Sequence, residues 1–446
     1  MRRVIFLAVL GLAVLGRGEE IILGRDLSGE AIVVTRTASP DATPESPRFF
    51  GPFEAGKTGH FYSIDPVPRG PFPPRGDAYL GDHAAAHAVW RLVLTEGFED
   101  VYGAPTLREA AREAGILGAE PAARHRARVT WPLPHVEMGE AVASHYARSF
   151  ASESYVEALA LIAEFDQARV EALLEPFLAG AKPTGPAKNP GHLAGRLIFA
   201  DYAERTGDPR ALDILKRTLE PGFGAEGQPL DHFPMHQDMS DSVFMVCPLF
   251  AKAGKLTGEA RYFDLCANHL RFMRSRCLRE DGLYRHSPQN EGAWGRGNGF
   301  PALGLTLVLE DFPKDHPERA FIEACLREHL VALLEHQGPD GMWRQLIDRP
   351  DSYREFTATC MITFALLRAS QRGLIELSDP RVLEKATSAL FARVSEDGQN
   401  FVDACTGTGK QKALEDYYRR KAILGPDQRS AAMFLTLNRA WLESLK

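Results

Sequence analysis

From about residue 82 to the end, apolar residues return at intervals of three and four with polar residues between them. Leu212, Leu215 and Leu219 form one such stretch, and Phe263, Cys266, Leu270 and Met273 another. This spacing puts the apolar side chains on one face of a helix. It predicts helices over about 84–96, 106–115, 137–149, 152–164, 168–180, 192–206, 209–218, 241–257, 259–277, 298–311, 316–337, 354–371, 380–394, 412–421 and 428–444. The connectors carry stop signals, as in Thr206-Gly-Asp-Pro209, Thr257-Gly258, Asp281-Gly282, Asp340-Gly341 and Asp397-Gly398.

A weak repeat organises these helices. Thr206-Gly-Asp-Pro-Arg-Ala-Leu212 and Thr257-Gly-Glu-Ala-Arg-Tyr-Phe263 each join one helix to the next. Hairpins of roughly 45–60 residues, with chemistry-bearing residues near helix starts, predict an all-α (α/α)6 barrel, six hairpins in a ring over 81–446. An open solenoid is the other arrangement the pattern allows. Residues 19–80 interrupt it with Pro40, Pro44, Pro47, Pro52, Pro66, Pro68, Pro71, Pro73 and Pro74, and only Ala31-Ile-Val-Val-Thr35 reads as a strand. An irregular N-terminal arm is the expectation there.

Composition adds a compartment and removes some partners. Met1-Arg-Arg-Val-Ile-Phe-Leu-Ala-Val-Leu reads as the start of a secretory signal peptide over 1–18, too short in its apolar run to span a bilayer. A periplasmic or secreted protein is expected, with no membrane partner once the signal is removed. Net charge is −7, and loss of Arg2, Arg3 and Arg17 with the signal gives −10. That balance argues against nucleic acid as a partner. The six cysteines all follow residue 246 and include no CxxC pair; most sit in helical apolar patterns, where buried free thiols are expected.

Chemistry concentrates in a few segments. Gly51-Pro-Phe-Glu-Ala-Gly-Lys-Thr58 spells a phosphate loop, yet Gly59 and Pro66 leave no helix after the lysine, so no nucleotide or other cofactor is expected. His232, His236, Asp238 and Asp241 are metal-capable, but Pro234 separates the histidines and nothing completes a ligand set, so polar contacts to a sugar suit them better. Asp241 heads an apolar helix, where a helix cap is the plain alternative to catalysis. Asp238 nearby would favour a proton on one carboxyl of the two. In Trp294-Gly-Arg-Gly-Asn-Gly299 the glycines suggest a tight turn, with Trp294 as a stacking face and Arg296 as a fork for a carboxylate. His286 belongs to the same loop system. Glu355 is either a first-turn carboxylate or a pocket-lining residue.

The succession Asp241-Ser-Val-Phe-Met, His286, Trp294-Gly-Arg-Gly-Asn-Gly, Gly341-Met-Trp-Arg-Gln, Ser352-Tyr-Arg-Glu-Phe-Thr-Ala-Thr and Cys405-Thr-Gly-Thr-Gly resembles glycoside hydrolase family 105 and its relative, family 88. The resemblance runs over about 190–440. It implies a hydrolase that removes a 4,5-unsaturated uronic acid from oligosaccharides left by polysaccharide lyases, as a monomer or homodimer. It gives Asp241 the acid/base role. Arg296 and Trp294 would hold the uronate, and His286 and Asn298 its hydroxyls, with His192, His232, His236, Phe300 and Glu355 lining the pocket. The chain departs from the family where a second Asp is usual: Asn189-Pro-Gly-His-Leu-Ala-Gly195 has none, leaving His192 or Asn189 in its place. His232 and His236 lie nine and five residues before Asp241 rather than eleven, Phe300 replaces a Trp, and Arg429-Ser430 replaces a His-Gly pair. Two alternatives stand beside this reading: a non-catalytic carbohydrate-binding barrel, and a hydrolase of saturated uronosides, for which Asp238 or Glu355 would be the second carboxylate.

Overall fold

The computed structural model describes residues 19–25, 31–37, 48–51, 60–65, 100–102 and 135–444, the last span apart from 165, 339–340, 350–351, 380, 392, 395–396 and 421. The proposed signal segment and the helices expected over 84–96 and 106–115 lie outside the described residues. The other thirteen expected helices are present.

Among the described residues, six outer helices alternate with six inner ones. The outer set is α1 (His135–Tyr146), α3 (Gln167–Leu178), α6 (Pro209–Leu219), α8 (Ala260–Cys277), α10 (Arg319–Leu334) and α12 (Arg381–Phe391). The inner set is α2 (Tyr155–Ile162), the broken pair α4 (Pro190–Gly195) and α5 (Leu197–Thr206), α7 (Ser242–Thr257), α9 (Gly295–Asp311), α11 (Phe356–Gln371) and α14 (Gln428–Ser444). Between α12 and α14 lie a short hairpin, β6 (Phe401–Cys405) with β7 (Ala422–Gly425), and the helix α13 (Leu414–Tyr418).

Sequence decides which helix goes where. Every residue of α7 from Ser242 to Ala251, and of α11 from Phe356 to Leu367, is buried. Helices apolar all round belong inside. On α6 only Ala211, Ile214, Leu215 and Leu219 are buried, a one-sided stripe suited to the outer layer. Each inner helix packs on the next, and α14 lies between α11 and α2, which closes the ring. Helices α7 and α9 cross closely: a Cβ on Gly304 would stand 2.7 Å from the Cα of Phe244. This is the (α/α)6 barrel expected from the periodicity.

All inner helices run the same way. Their C-terminal halves surround a cavity of about 250 Å³, crossed by ion pairs such as Lys252 with Glu204 (2.5 Å) and with Asp311 (2.8 Å). Their N-termini gather at the other end, so the positive ends of the helix dipoles point toward one mouth and favour anionic ligands there.

The expectation of an irregular arm over 19–80 is corrected. Strands β1 (Glu19–Arg25), β2 (Ala31–Thr37), β3 (Arg48–Gly51) and β4 (His60–Asp65), with β5 (Asp100–Tyr102), form an antiparallel sheet in the order β1-β2-β4-β3-β5. Every proline that argued against regular structure falls between or after these strands, where a missing N–H costs no ladder bond. Prolines argue against helix, not against the strands between them.

Candidate active site

Asp241 immediately precedes α7, with φ −53° and ψ −27°. A capping side chain needs an extended backbone to reach back to the first N–H groups. Asp241 is already helical and makes no cap bond, so the helix-cap alternative does not hold. The residue is 7 % exposed, and Oδ1 is buried without a hydrogen-bond partner.

Two histidines face it. His286 Nε2 stands 3.5 Å from Asp241 Oδ1 and has no hydrogen-bond partner of its own. His286 is fixed from behind: Nδ1 lies 2.9 Å from the Tyr417 hydroxyl, its carbonyl accepts from Ser240 N (2.9 Å), and its ring packs on Trp294. Burial, reinforced by Asp241, pushes the Tyr417 phenol well above its usual range, so the hydroxyl keeps its proton. Donation from that hydroxyl to Nδ1 leaves the imidazole proton on Nε2, directed at Asp241.

His236 is the second. Its backbone is left-handed (φ +61°), unusual for a residue with a Cβ and a mark of local strain. Its Nε2 is buried and unpaired, and burial lowers its pKa against the opposing pull of Asp241 and Asp238. The 232–236 loop is pinned by His269, whose Nδ1 accepts from Phe233 N (3.1 Å) while Nε2 meets Ser242 Oγ (2.8 Å). Three unpaired polar atoms, on Asp241, His236 and His286, therefore belong to side chains within electrostatic reach of one another.

The remaining expected site residues are placed differently. Asp238 is partly exposed and paired with Lys410, so it is no buried twin of Asp241. The stretch Gly295-Arg-Gly-Asn-Gly299 is not a turn but the first turn of α9, and its glycines serve close packing: a Cβ on Gly295 would lie 2.4 Å from Arg344 O. Asn298 accepts from Tyr284 N (2.7 Å) and donates to Tyr284 O and Trp294 O, both at 2.9 Å. With its side chain so engaged, it builds the wall and reaches no hydroxyl.

Trp294 is 1 % exposed, its ring against His286 and the Arg296 guanidinium, 4.7 Å away, so it supports the site rather than offering a free stacking face. Arg296 is also buried; Nη1 donates to Cys405 O (2.7 Å) and Thr357 Oγ1 (3.2 Å), and Nη2 to Thr406 O (2.7 Å). Its fork is turned on its own chain. Glu355 caps α11, accepting from Thr357 N and Ala358 N, and also from Cys405 N across 50 residues. Phe300 stacks on Phe244 in the core, and His232 stacks on Phe272 of α8. His192 sits at the head of α4, its N–H taken by the Asn189 side chain (3.0 Å), so Asn189 is a helix cap. All six cysteines are buried and free.

Sequence reasoning missed Tyr155 and Tyr417, and noted Arg429 only as a departure from the family pattern. Tyr155 opens α2, packs edge-on against Phe244 and Phe300, and lies within electrostatic reach of Arg296, Arg429 and Asp241 together. No local motif marks the two tyrosines; they join the site only through the barrel's closure.

Comparison with known proteins fits this geometry. Residues 199–443 match the family model described as Glycosyl Hydrolase Family 88. The chain is 29 % identical over 216 residues to the unsaturated rhamnogalacturonyl hydrolase of Bacillus subtilis, covering 46 % of this chain and 60 % of that protein. It is 36 % identical over 110 residues to an unsaturated 3S-rhamnoglycuronyl hydrolase of Formosa agariphila, 24 % of this chain and 29 % of that one. The chain thus spans less than two thirds of either relative. A crystal structure of a possible member of the GH105 family from Klebsiella pneumoniae superposes with a TM-score of 0.60 at 20 % identity, over 70 % of this chain and 93 % of that one. A glycosyl hydrolase family 88 structure from Bacteroides vulgatus gives 0.56 at 16 % identity, over 69 % and 98 %. These likenesses establish the shared fold.

Proposed function

Because the chain belongs to glycosyl hydrolase family 88, we propose that it removes a 4,5-unsaturated uronic acid from the non-reducing end of lyase-generated oligosaccharides. The observation that carries this reading is the Asp241 carboxylate: at a helix head it does not cap, buried, with Oδ1 opposite His286 Nε2 at 3.5 Å. A single acid in such a place suits protonation of an enol ether better than displacement at an anomeric carbon, which needs two carboxylates.

In this mechanism Asp241 gives its proton to C4, and the positive charge is shared by C5 and the ring oxygen. Water adds at C5 while Asp241, now a carboxylate, takes the proton released. The resulting hemiketal opens to a C5 ketone, and the C1 hemiacetal left behind expels the neighbouring sugar as an alcohol. One water is consumed and Asp241 returns to its starting state. His286, held by Tyr417, keeps Oδ1 oriented and offers an N–H to the carboxylate between the steps. His236 supplies an uncharged nitrogen for the water or a ring hydroxyl.

The saturated-uronoside alternative lacks a partner acid: Asp238 is paired with Lys410, and Glu355 is bound by backbone N–H groups. The test is loss of the conjugated C4=C5 ultraviolet absorbance on unsaturated rhamnogalacturonan and glycosaminoglycan disaccharides. Decay on one of them supports the reading and identifies the substrate branch. Binding without decay on either favours the non-catalytic carbohydrate-binding alternative.

A further inference from the structure

The substrate proposed above carries a carboxylate at C6, yet the arginine expected to hold it is not free. Arg296 is 2 % exposed, and both its Nη atoms donate to fixed oxygens of the protein. Arg429, one residue into α14, differs in each respect. Its side chain is 29 % exposed, its Nε is buried without a partner, and its Nη2 donates to Asp427 Oδ1 at 3.2 Å.

Its surroundings keep that guanidinium in place and accessible. Asp427 uses its other oxygen for Ser430 N (2.8 Å) and Ser430 Oγ (2.7 Å), so its carboxylate is a fixed post against which Arg429 leans. Gly407 lies alongside: a Cβ there would stand 3.3 Å from Arg429 Nη1, so a side chain at this position would crowd the guanidinium. The Gly407 loop is itself held, through Arg296 to Cys405 O and Thr406 O and through Arg420 to Thr408 Oγ1 (3.1 Å). Arg429 stands at the head of α14 and Asp241 at the head of α7, two inner helices whose N-termini share one end of the barrel, which places this arginine at the same end as the acid; Tyr155 lies within electrostatic reach of both.

We infer that Arg429 is the residue that selects for a uronate, its guanidinium taking the substrate carboxylate while Arg296 holds the loop that frames it. This assignment rests on the unsaturated-uronide reading. A charge-assisted pair at a partly desolvated guanidinium distinguishes a carboxylate from its neutral ester, and a guanidinium committed to backbone carbonyls does not.

The experiment compares kcat/KM of the full chain on an unsaturated uronyl disaccharide and on its C6 methyl ester. Arg429→Gln is expected to lower the value for the acid about 100-fold and leave the ester within about threefold, which collapses the selectivity. Arg429→Lys keeps the charge and recovers part of it. Gly407→Ala, which crowds Nη1 without touching the charge, lowers the acid selectively by a smaller factor. Asp427 continues to cap α14 in all three, and circular dichroism verifies the fold. An unchanged acid-to-ester ratio in Arg429→Gln, or an equal loss on both substrates, overturns the assignment. Wild-type protein that turns over neither substrate overturns the hydrolase reading and this assignment with it, a result distinct from turnover with unaltered selectivity.

Discussion

His286 Nε2 and Asp241 Oδ1 face each other across 3.5 Å, both buried and neither with another hydrogen-bond partner. Two such atoms left open in a packed interior mark a place built for something else to enter. Asp241→Asn keeps the shape and removes the transferable proton. Because the side chain caps nothing, thermal unfolding should be nearly unchanged, while turnover of an unsaturated disaccharide falls at least about a thousandfold. Near-normal turnover in this variant would take Asp241 out of the mechanism.

Tyr417 acts through His286, so it is a positioning residue. Tyr417→Phe leaves His286 Nδ1 without its 2.9 Å partner and frees the imidazole to change tautomer. The expected result is a drop in kcat of about 10- to 100-fold with KM little altered, and a displaced acid limb of the pH–rate profile. A purely structural Tyr417 would instead lower the unfolding temperature and leave the profile of the folded enzyme where it was.

His269 makes the fold sensitive to acid. Burial, aided by the neighbouring His232 and His236, lowers its pKa from 6.5 to about 3. The folded state therefore holds His269 neutral while the unfolded chain takes up a proton below pH 6.5. Stability is full above that value and is lost as pH falls from 6.5 toward 3, by on the order of several kcal/mol if the whole shift is expressed. Urea unfolding at intervals from pH 7 to 4 should show this slope, and His269→Gln should flatten it. An equal slope in the variant would assign the acid sensitivity to other groups, the buried His236 and His329 among them.

Much of this architecture was legible in the residues. The three-and-four spacing of Leu212, Leu215 and Leu219 and its counterparts gave the helices and their hairpin order, because burial of one face is a local property. Asp241 and His286 stood out for their residue types and positions. What stayed hidden depends on closure of the ring. Tyr417 meets His286 across 131 residues, and Arg296 reaches Cys405 across 109. The glycines of 295–299 were read as a turn because local sequence does not show that Arg344 and Met361 press on that helix from a neighbouring hairpin. Prolines of the first eighty residues argue against helix and say nothing of the strands between them.

Glu355 shows how a carboxylate near a pocket can be structural. It is fully buried and accepts from Thr357 N, Ala358 N, Thr357 Oγ1 and Cys405 N, tying the head of α11 to the end of β6. The loop after Cys405 carries the carbonyls that hold Arg296, so Glu355 also supports that arginine at one remove. Glu355→Gln turns an N–H₂ toward donors and leaves at least one buried group unpaired, at a cost of about 2–4 kcal/mol. Denaturant unfolding should record that loss with an unchanged m-value, and KM for the unsaturated disaccharide should shift less than about threefold at temperatures where the variant is folded. A variant as stable as the wild type but with a strongly raised KM would instead make Glu355 a substrate contact.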